Sequence, residues 1–148
     1  MLKKIYLIGS LRNSEISKLG NTLRAALPGT EIFNDWLSAG PEADDYWKSF
    51  EEARSRNYKE ALASHPAKHV FEFDKHHLDD SDAAILALPA GRSGHLELGY
   101  MAGKGKFTAI LLDEVSGKDR WDVMYQFADV ICETEEDLVD ALTSLPNL

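Results

Sequence analysis

An acidic residue, Glu97, stands in the stretch GRSGHLELGY, directly after the apolar run AAILALPA. A helix is predicted from about residue 94 to about residue 104, which places Glu97 at the third helical position if Gly94 is the N-cap. In that position the carboxylate could cap its own helix. It could equally serve as a nucleophile that the positive end of the helix dipole keeps ionised. The spacing alone leaves both interpretations open.

A second acid, Asp74, follows Phe71 and Phe73 in the chain. An apolar neighbourhood raises the pKa of a carboxyl group, and a carboxyl group that keeps its proton near neutral pH can donate it in catalysis. The alternative is an ordinary solvated carboxylate on the face of a helix. The sequence therefore indicates a candidate proton donor at Asp74.

The stretch GSLRN, which follows the first apolar run, offers donors for an anion. Gly9 permits a tight turn, Ser10 and Arg12 carry donors, and the N-terminus of the following helix adds a partial positive charge. The stretch matches neither the Walker loop nor the GxGxxG fingerprint of dinucleotide-binding proteins. The alternative is a plain Gly-Ser turn before a helix that Asn13 or Ser14 caps.

Apolar runs and amphipathic stretches alternate along the chain. The runs predicted as strands are KKIYLIGS, TEIFNDW, AAILALPA, FTAILLD and ADVICE, with helical spacing between most of them. This alternation predicts an α/β fold, a doubly wound, Rossmann- or flavodoxin-like sheet of five mostly parallel strands flanked by helices. Ligands bind at the carboxyl ends of such strands, where GSLRN and GRSGHLELGY both fall.

Residues 38–80 form a polar, aromatic-rich and helix-prone insertion between the second and third predicted strands. The Gly40-Pro41 pair opens the insertion and His65-Pro66 divides it, so two helices are predicted. A long insertion of this kind is often a lid or an interface. It could also do no more than cover one face of the sheet, and the two interpretations are compatible.

The composition predicts a single globular domain over residues 1–148. The formal net charge of −9 argues against a broad nucleic-acid surface, which needs a basic face. The one cysteine, Cys132, excludes an internal disulfide and a multi-cysteine zinc site, and no metal or cofactor is predicted. No apolar run is long enough to span a membrane, and the first one is interpreted as a strand rather than a signal peptide. A cytoplasmic protein is expected.

Three stretches in the same order resemble the nucleoside 2-deoxyribosyltransferase family, including its nucleoside 5′-monophosphate N-glycosidase branch. They are KIYLIGSLRN, FDKHHLDDSDAAILAL and, most specific, SGHLELGYMAGKGK. The resemblance implies that Glu97 is the nucleophile that attacks the anomeric carbon of the sugar. It implies that Asp74 contacts or protonates the leaving base, and that Tyr6 lies beside the nucleophile. Such chemistry is that of a retaining glycosidase.

The resemblance also implies a binding site for a 5′-phosphate. Its side-chain donors would be Ser10, Arg12 and Ser93, and the rest of the implied substrate site comprises Gly9, Asn13, Gly94, Asp122 and Met124. Members of the family commonly complete each site with a segment of a neighbouring subunit, a place that Asp122 and Met124 would take here. A homo-oligomer, a dimer or larger, is therefore expected.

The expected activity is cleavage of the N-glycosidic bond of a (deoxy)nucleoside 5′-monophosphate, with water as acceptor. Transferases of the family often carry an aspartate shortly before the small-residue turn, and PAGRSG contains no acid. Two alternatives stay open. One is a deoxyribosyltransferase that exchanges bases on free 2′-deoxynucleosides, and the other is a nucleotide-binding sensor without turnover. The expected partner is a small nucleoside or nucleotide, with neither nucleic acid nor membrane.

Overall fold

Five parallel strands form one sheet in the order β2-β1-β3-β4-β5. The strands of this computed structural model, which describes residues 2–118 and 120–145, are β1 (Lys4–Ile8), β2 (Glu31–Phe33), β3 (Ala83–Ala87), β4 (Phe107–Leu111) and β5 (Val130–Cys132). All four ladders between neighbouring strands are parallel. The predicted doubly wound α/β fold is confirmed, with the flavodoxin-like strand order.

Helices cover both faces of the sheet. They are α1 (Ile16–Ala26), α2 (Ala43–Glu52), α3 (Tyr58–Leu62), α4 (His65–Asp79), α5 (Arg92–Gly103) and α6 (Glu135–Thr143), with short 3-10 helices at Asp35–Ala39 and Val123–Phe127. One face packs against α1 and α6, and the other against α4 and α5. Within the described residues, no helix is both long and apolar enough to cross a bilayer.

The central strands are buried on both faces because each is covered by helices above and below. Every residue of β1 and β3 is buried. Successive side chains of a strand point to opposite faces, so Ile5 and Leu7 pack toward α1 and α6. Tyr6 and Ile8 point toward α4 and α5. The alternation thus directs the hydroxyl-bearing side chain of Tyr6 to the face that also receives Asp74 and Glu97.

The insertion contains one more helix than the two predicted. Ser55 adopts a positive φ of 58°, which ends the first helical segment after Glu52. Asn57 then starts α3 with a capping box, in which its side chain accepts from the Glu60 backbone N–H and the Glu60 carboxylate accepts in return. The predicted break at His65-Pro66 is correct, since α4 begins at His65.

Candidate active site

The order of the strands fixes where a ligand would bind. The chain leaves β1 toward β2 on one side, and continues from β3 to β4 and β5 on the other. The crevice between the carboxyl ends of β1 and β3 is therefore the topological switch point, where open α/β sheets bind ligands. The loop that begins at Gly9 follows β1, and α5 follows β3. Both stretches singled out in the sequence therefore lie at this crevice.

Glu97 lies farther inside its helix than predicted. Helix α5 begins at Arg92, with Gly91 as its N-cap in an extended conformation and without a side-chain cap. Glu97 is thus in the second turn, and the interpretation that it caps its own helix start is wrong. Gly94, expected at the N-cap, is instead a buried residue of the first turn.

Gly94 lets the first turn of α5 approach the sheet closely. A Cβ at this position would lie 3.0 Å from Leu86 Cδ1, 3.1 Å from Ile8 Cγ2 and 3.3 Å from Ala90 Cβ. These distances are shorter than ordinary carbon contacts of about 3.5–4.0 Å. The absence of a side chain at Gly94 therefore lets the first turn of α5 pack directly against β1 and β3.

Tyr6, Asp74 and Glu97 come together from β1, α4 and α5. Tyr6 is 1% exposed, and its hydroxyl is close enough to the Glu97 carboxylate to lower the pKa of Glu97. Asp74 is close enough for its charge to act on both of the other groups. One carboxylate oxygen, Glu97 Oε2, is buried without a hydrogen-bond partner among the described residues. An oxygen of this kind is unusual in a folded protein, and it marks Glu97 for a role other than capping or ion pairing.

Burial controls the protonation of this cluster. The pKa of Glu97 is raised to about 7, first by desolvation and then by the charge of Asp74, and the Tyr6 hydroxyl partly offsets both effects. Burial also raises the pKa of Asp74 to about 6, as its apolar neighbourhood predicted. The pKa of Tyr6 is raised well above its usual range, first by burial and then by the two carboxylates. Desolvation thus acts against the helix dipole that was expected to keep Glu97 ionised, because burial favours the neutral form of a carboxyl group.

The loop after β1 is tightly folded around Ser10. A Cβ on Gly9 would lie 2.4 Å from Ile16 Cδ1, so a larger residue there would force the Ile16 side chain to move. Ser10 Oγ accepts from the Arg12 backbone N–H at 3.1 Å, and the Ser10 carbonyl accepts from the Asn13 N–H at 3.0 Å. The hydroxyl hydrogen of Ser10 remains available for a ligand.

Asn13 folds the end of this loop instead of capping the helix directly. Its Oδ1 accepts from the Glu15 backbone N–H at 3.0 Å, and Glu15 occupies the N-cap position of α1 without a side-chain cap. Neither Asn13 nor Ser14 is therefore the N-cap that the sequence suggested. Ser93 lies exposed in the first turn of α5, across the switch point from this loop.

Asp122 and Met124 lie on the 3-10 segment that follows β4, and both are exposed. Asp122 Oδ1 accepts from the Met124 N–H at 2.9 Å and so begins this 3-10 helix. The segment is held beside α5, because Tyr125 Oη lies 2.9 Å from His95 Nε2 and the two rings stack. His95 Nδ1 lies 2.7 Å from the Gly91 carbonyl, which can only accept, so Nδ1 carries the proton and Nε2 accepts from Tyr125.

Two features of this region could not be read from the sequence. The Trp36 indole donates to the Leu7 carbonyl at 2.8 Å and so lies beside the carboxyl end of β1. Arg12 Nη2 lies 3.4 Å from Asp45 Oδ2, which joins the loop after β1 to α2 of the insertion. No group of three or more metal-ligating His, Cys, Asp or Glu side chains occurs within residues 2–118 and 120–145.

Two solved structures share this fold. A conserved protein from Enterococcus faecalis V583 matches with a TM-score of 0.66 and 16% sequence identity, over 97% of this chain and 98% of that chain. BcmB, a CMP N-glycosidase from Clostridium botulinum, matches with a TM-score of 0.53 and 16% identity, over 95% of this chain and 99% of that chain. No protein-family model and no curated protein matches the chain. At this level of identity the likeness establishes a common fold.

Proposed function

We propose that the protein cleaves the N-glycosidic bond of a (deoxy)nucleoside 5′-monophosphate through a covalent glycosyl–enzyme intermediate on Glu97. The observation that carries this proposal is the buried and unpartnered Oε2 of Glu97, flanked by Asp74 and Tyr6 at the switch point of the sheet. A buried carboxylate oxygen without a donor suits attack on an electron-poor carbon such as C1′ of a nucleotide. The CMP N-glycosidase activity named for the Clostridium botulinum neighbour supports a nucleotide substrate.

The first step forms one bond and breaks another. Glu97 Oε2 attacks C1′ while the bond between C1′ and the base nitrogen breaks, and the electron pair of that bond leaves with the base. The base takes a proton from Asp74, whose pKa of about 6 leaves part of the population protonated near neutral pH. The products are the free base and a sugar ester on Glu97.

The second step returns the enzyme to its starting state. A water molecule attacks C1′, the ester oxygen leaves as the Glu97 carboxylate, and the ionised Asp74 takes the proton from the water. Because two displacements occur at C1′, the configuration of the sugar is retained. Tyr6 positions the carboxylate throughout, since its buried hydroxyl stabilises the charged form of Glu97.

The phosphate would be held by donors on both sides of the crevice. Ser10 and Arg12 lie in the loop after β1, and Ser93 lies in the first turn of α5. Asn13 folds the loop, and the two close-packed glycines, Gly9 and Gly94, bring these segments near the strand ends. Arginine and backbone N–H groups at helix starts are common ligands of phosphate.

An assay of base release tests the proposal. The protein is incubated with nucleosides and with their 5′-monophosphates, with and without a second free base, and the products are separated by chromatography. We expect base release from monophosphates, loss of it in Glu97→Gln, and an adduct of the sugar phosphate in the intact mass of the wild type. The exposed Glu136→Gln variant controls for the substitution itself.

Two outcomes would replace the proposal by its alternatives. Base exchange on free nucleosides without net hydrolysis would identify a deoxyribosyltransferase. If the wild type and Glu97→Gln both bind a nucleotide and neither releases a base from any compound, the protein would be a sensor.

We also infer a homo-oligomer in which Asp122 and Met124 of one copy reach the site of another. Several large apolar side chains near the site are exposed, among them Leu96, Val123 and Met124 at 75%, 67% and 60%. Exposed side chains of this size are frequent in subunit interfaces. Sedimentation of the wild type is expected to give about twice the monomer mass. Leu96→Glu is expected to shift the protein to monomer, and a monomeric wild type would contradict the inference.

A further inference from the structure

Helix α2 is attached to the rest of the protein mainly at its two ends. Among its residues only Glu51 is buried, and this carboxylate receives hydrogen bonds from Arg56 and Ser64 at 2.8 Å each. At the other end, Asp45 contacts Arg12 at 3.4 Å. Among the described residues, this is the one polar side-chain contact that joins α2 to a loop outside the insertion.

The contact between Arg12 and Asp45 is weak enough for an anionic ligand to replace Asp45. The side chains are 66% and 71% exposed, and the nitrogen–oxygen distance is longer than that of a strong charge-assisted hydrogen bond. Exposed pairs of this kind contribute little, because water screens both charges. A phosphate monoester carries more charge than one carboxylate and offers three acceptor oxygens, so it is the stronger partner for a guanidinium group.

We propose that Asp45 is a specificity-determining residue that holds Arg12 in the free protein and yields it to the 5′-phosphate of the substrate. The proposal rests on the proposed function, in which Arg12 contacts that phosphate. Asp45 then acts in two ways. It keeps the guanidinium group at the mouth of β1 in the absence of substrate, and it lowers the affinity for every anion that must displace it.

The same exchange couples the phosphate to α2. When Arg12 turns to the phosphate, Asp45 loses its partner, and α2 stays attached through Glu51 and through the contact of Trp47 with Tyr58, both within the insertion. Ligands without a phosphate leave the Arg12–Asp45 contact in place. Asp45 therefore sets how strongly nucleotides are preferred over free nucleosides, because it weakens the binding of nucleotides alone, and it does not distinguish one base from another.

The test compares Asp45→Asn with Asp44→Asn. Both residues lie in the first turn of α2, so each variant removes one negative charge from the same helix start, but only Asp45 contacts Arg12. We expect Asp45→Asn to lower KM for the 5′-monophosphate about two- to fivefold with kcat unchanged, as expected for an exposed pair. Asp44→Asn should leave KM near the wild-type value, and neither variant should change KM for the free nucleoside.

A second pair of variants shows whether the effect passes through Arg12. In an Arg12→Gln background, Asp45→Asn should no longer lower KM, because the residue that it competes for is absent. Equal KM values in Asp45→Asn and Asp44→Asn would overturn the proposal. So would an effect of Asp45→Asn that persists in Arg12→Gln.

Titration with inorganic phosphate separates this proposal from the proposed function. Phosphate binding is measured by calorimetry on the wild type and on all four variants, and it needs no turnover. Tighter binding by Asp45→Asn alone supports the exchange even if the protein cleaves none of the compounds tested. Equal binding by Asp45→Asn and Asp44→Asn refutes the exchange even if the protein is an active N-glycosidase.

Discussion

The pKa values of the two carboxyl groups in the candidate site are in the reverse of the order that their proposed roles require. The proposed nucleophile, Glu97, has a pKa of about 7, and the proposed acid, Asp74, has a pKa of about 6. The productive state needs Glu97 ionised and Asp74 protonated, which is the less populated arrangement of a single proton on the pair. Because the groups interact, the observed values belong to the pair, and activity depends on both.

The pH profile of kcat/KM should therefore be a narrow bell with its two limbs at about pH 6 and about pH 7. Replacing Asp74 by Asn removes the negative charge that raises the pKa of Glu97. We expect the alkaline limb of kcat/KM to disappear, the remaining acid limb to report a Glu97 pKa below about 7, and the rate to fall about 10²- to 10⁴-fold. A substrate whose leaving group needs no protonation should recover most of that loss. An acid limb at about pH 7 or above would contradict the contact between the two charges.

Removing the hydroxyl of Tyr6 should have the opposite effect on the pKa of Glu97. The Tyr6 hydroxyl favours the charged form of Glu97, so Tyr6→Phe leaves a carboxylate with less stabilisation and a higher pKa. In the Asp74→Asn background, where the acid limb of kcat/KM reports Glu97 alone, we expect Tyr6→Phe to move that limb to higher pH. An unchanged limb, or a shift to lower pH, would show that Tyr6 does not stabilise the Glu97 carboxylate.

At the scale of the element, the position of α5 depends on one close approach. A methyl group at Gly94 would press on Leu86 and Ile8, whereas a methyl group at Gly99 of the same helix meets nothing within 4 Å. Gly94→Ala is expected to lose about 1–3 kcal/mol of unfolding free energy. Gly99→Ala should gain up to about 1 kcal/mol from its better helix propensity. Denaturant unfolding measures both, and equal stabilities would contradict the tight packing.

The same close approach explains what the sequence could and could not predict for this helix. The apolar runs predicted the strands, because β1 and β3 are buried on both faces and contain few polar residues. The start of α5 was misplaced, because small residues around Gly94 suggested a turn. Only the packing of Gly94 against two strands that are distant in sequence places it inside the helix.

In the insertion, too, some features could be predicted from the local sequence and others could not. The break at His65-Pro66 was predicted from local chemistry, and the capping box at Asn57 is also local, but its short helix was merged with its neighbour. The contact between Arg12 and Asp45 joins residues 33 positions apart in the chain, and no local pattern indicates it. Local signals thus define where helices begin, and tertiary packing decides which side chains meet.

For the whole molecule, the candidate site lowers stability at high pH. The folded-state pKa of Glu97 is about 7 and its unfolded reference value is 4.5. Between these values the folded protein keeps a proton that the unfolded chain has lost, so stability falls as pH rises through this window. Below pH 4.5 the Glu97 carboxyl group is neutral in both the folded and the unfolded state and does not change the stability. Above about pH 7 the loss of stability has reached its full size.

Glu97→Gln should therefore stabilise the protein in a pH-dependent way. The neutral amide carries no buried charge, so we expect a gain on the order of 1 kcal/mol at about pH 8 and a much smaller one at about pH 5. Thermal or denaturant unfolding at both pH values measures the difference. Asp44→Asn, exposed on α2, controls for the loss of one charge from a chain with a net charge of −9. A gain that is equal at both pH values would show that Glu97 is solvated, and that the buried oxygen is not held ready for the sugar.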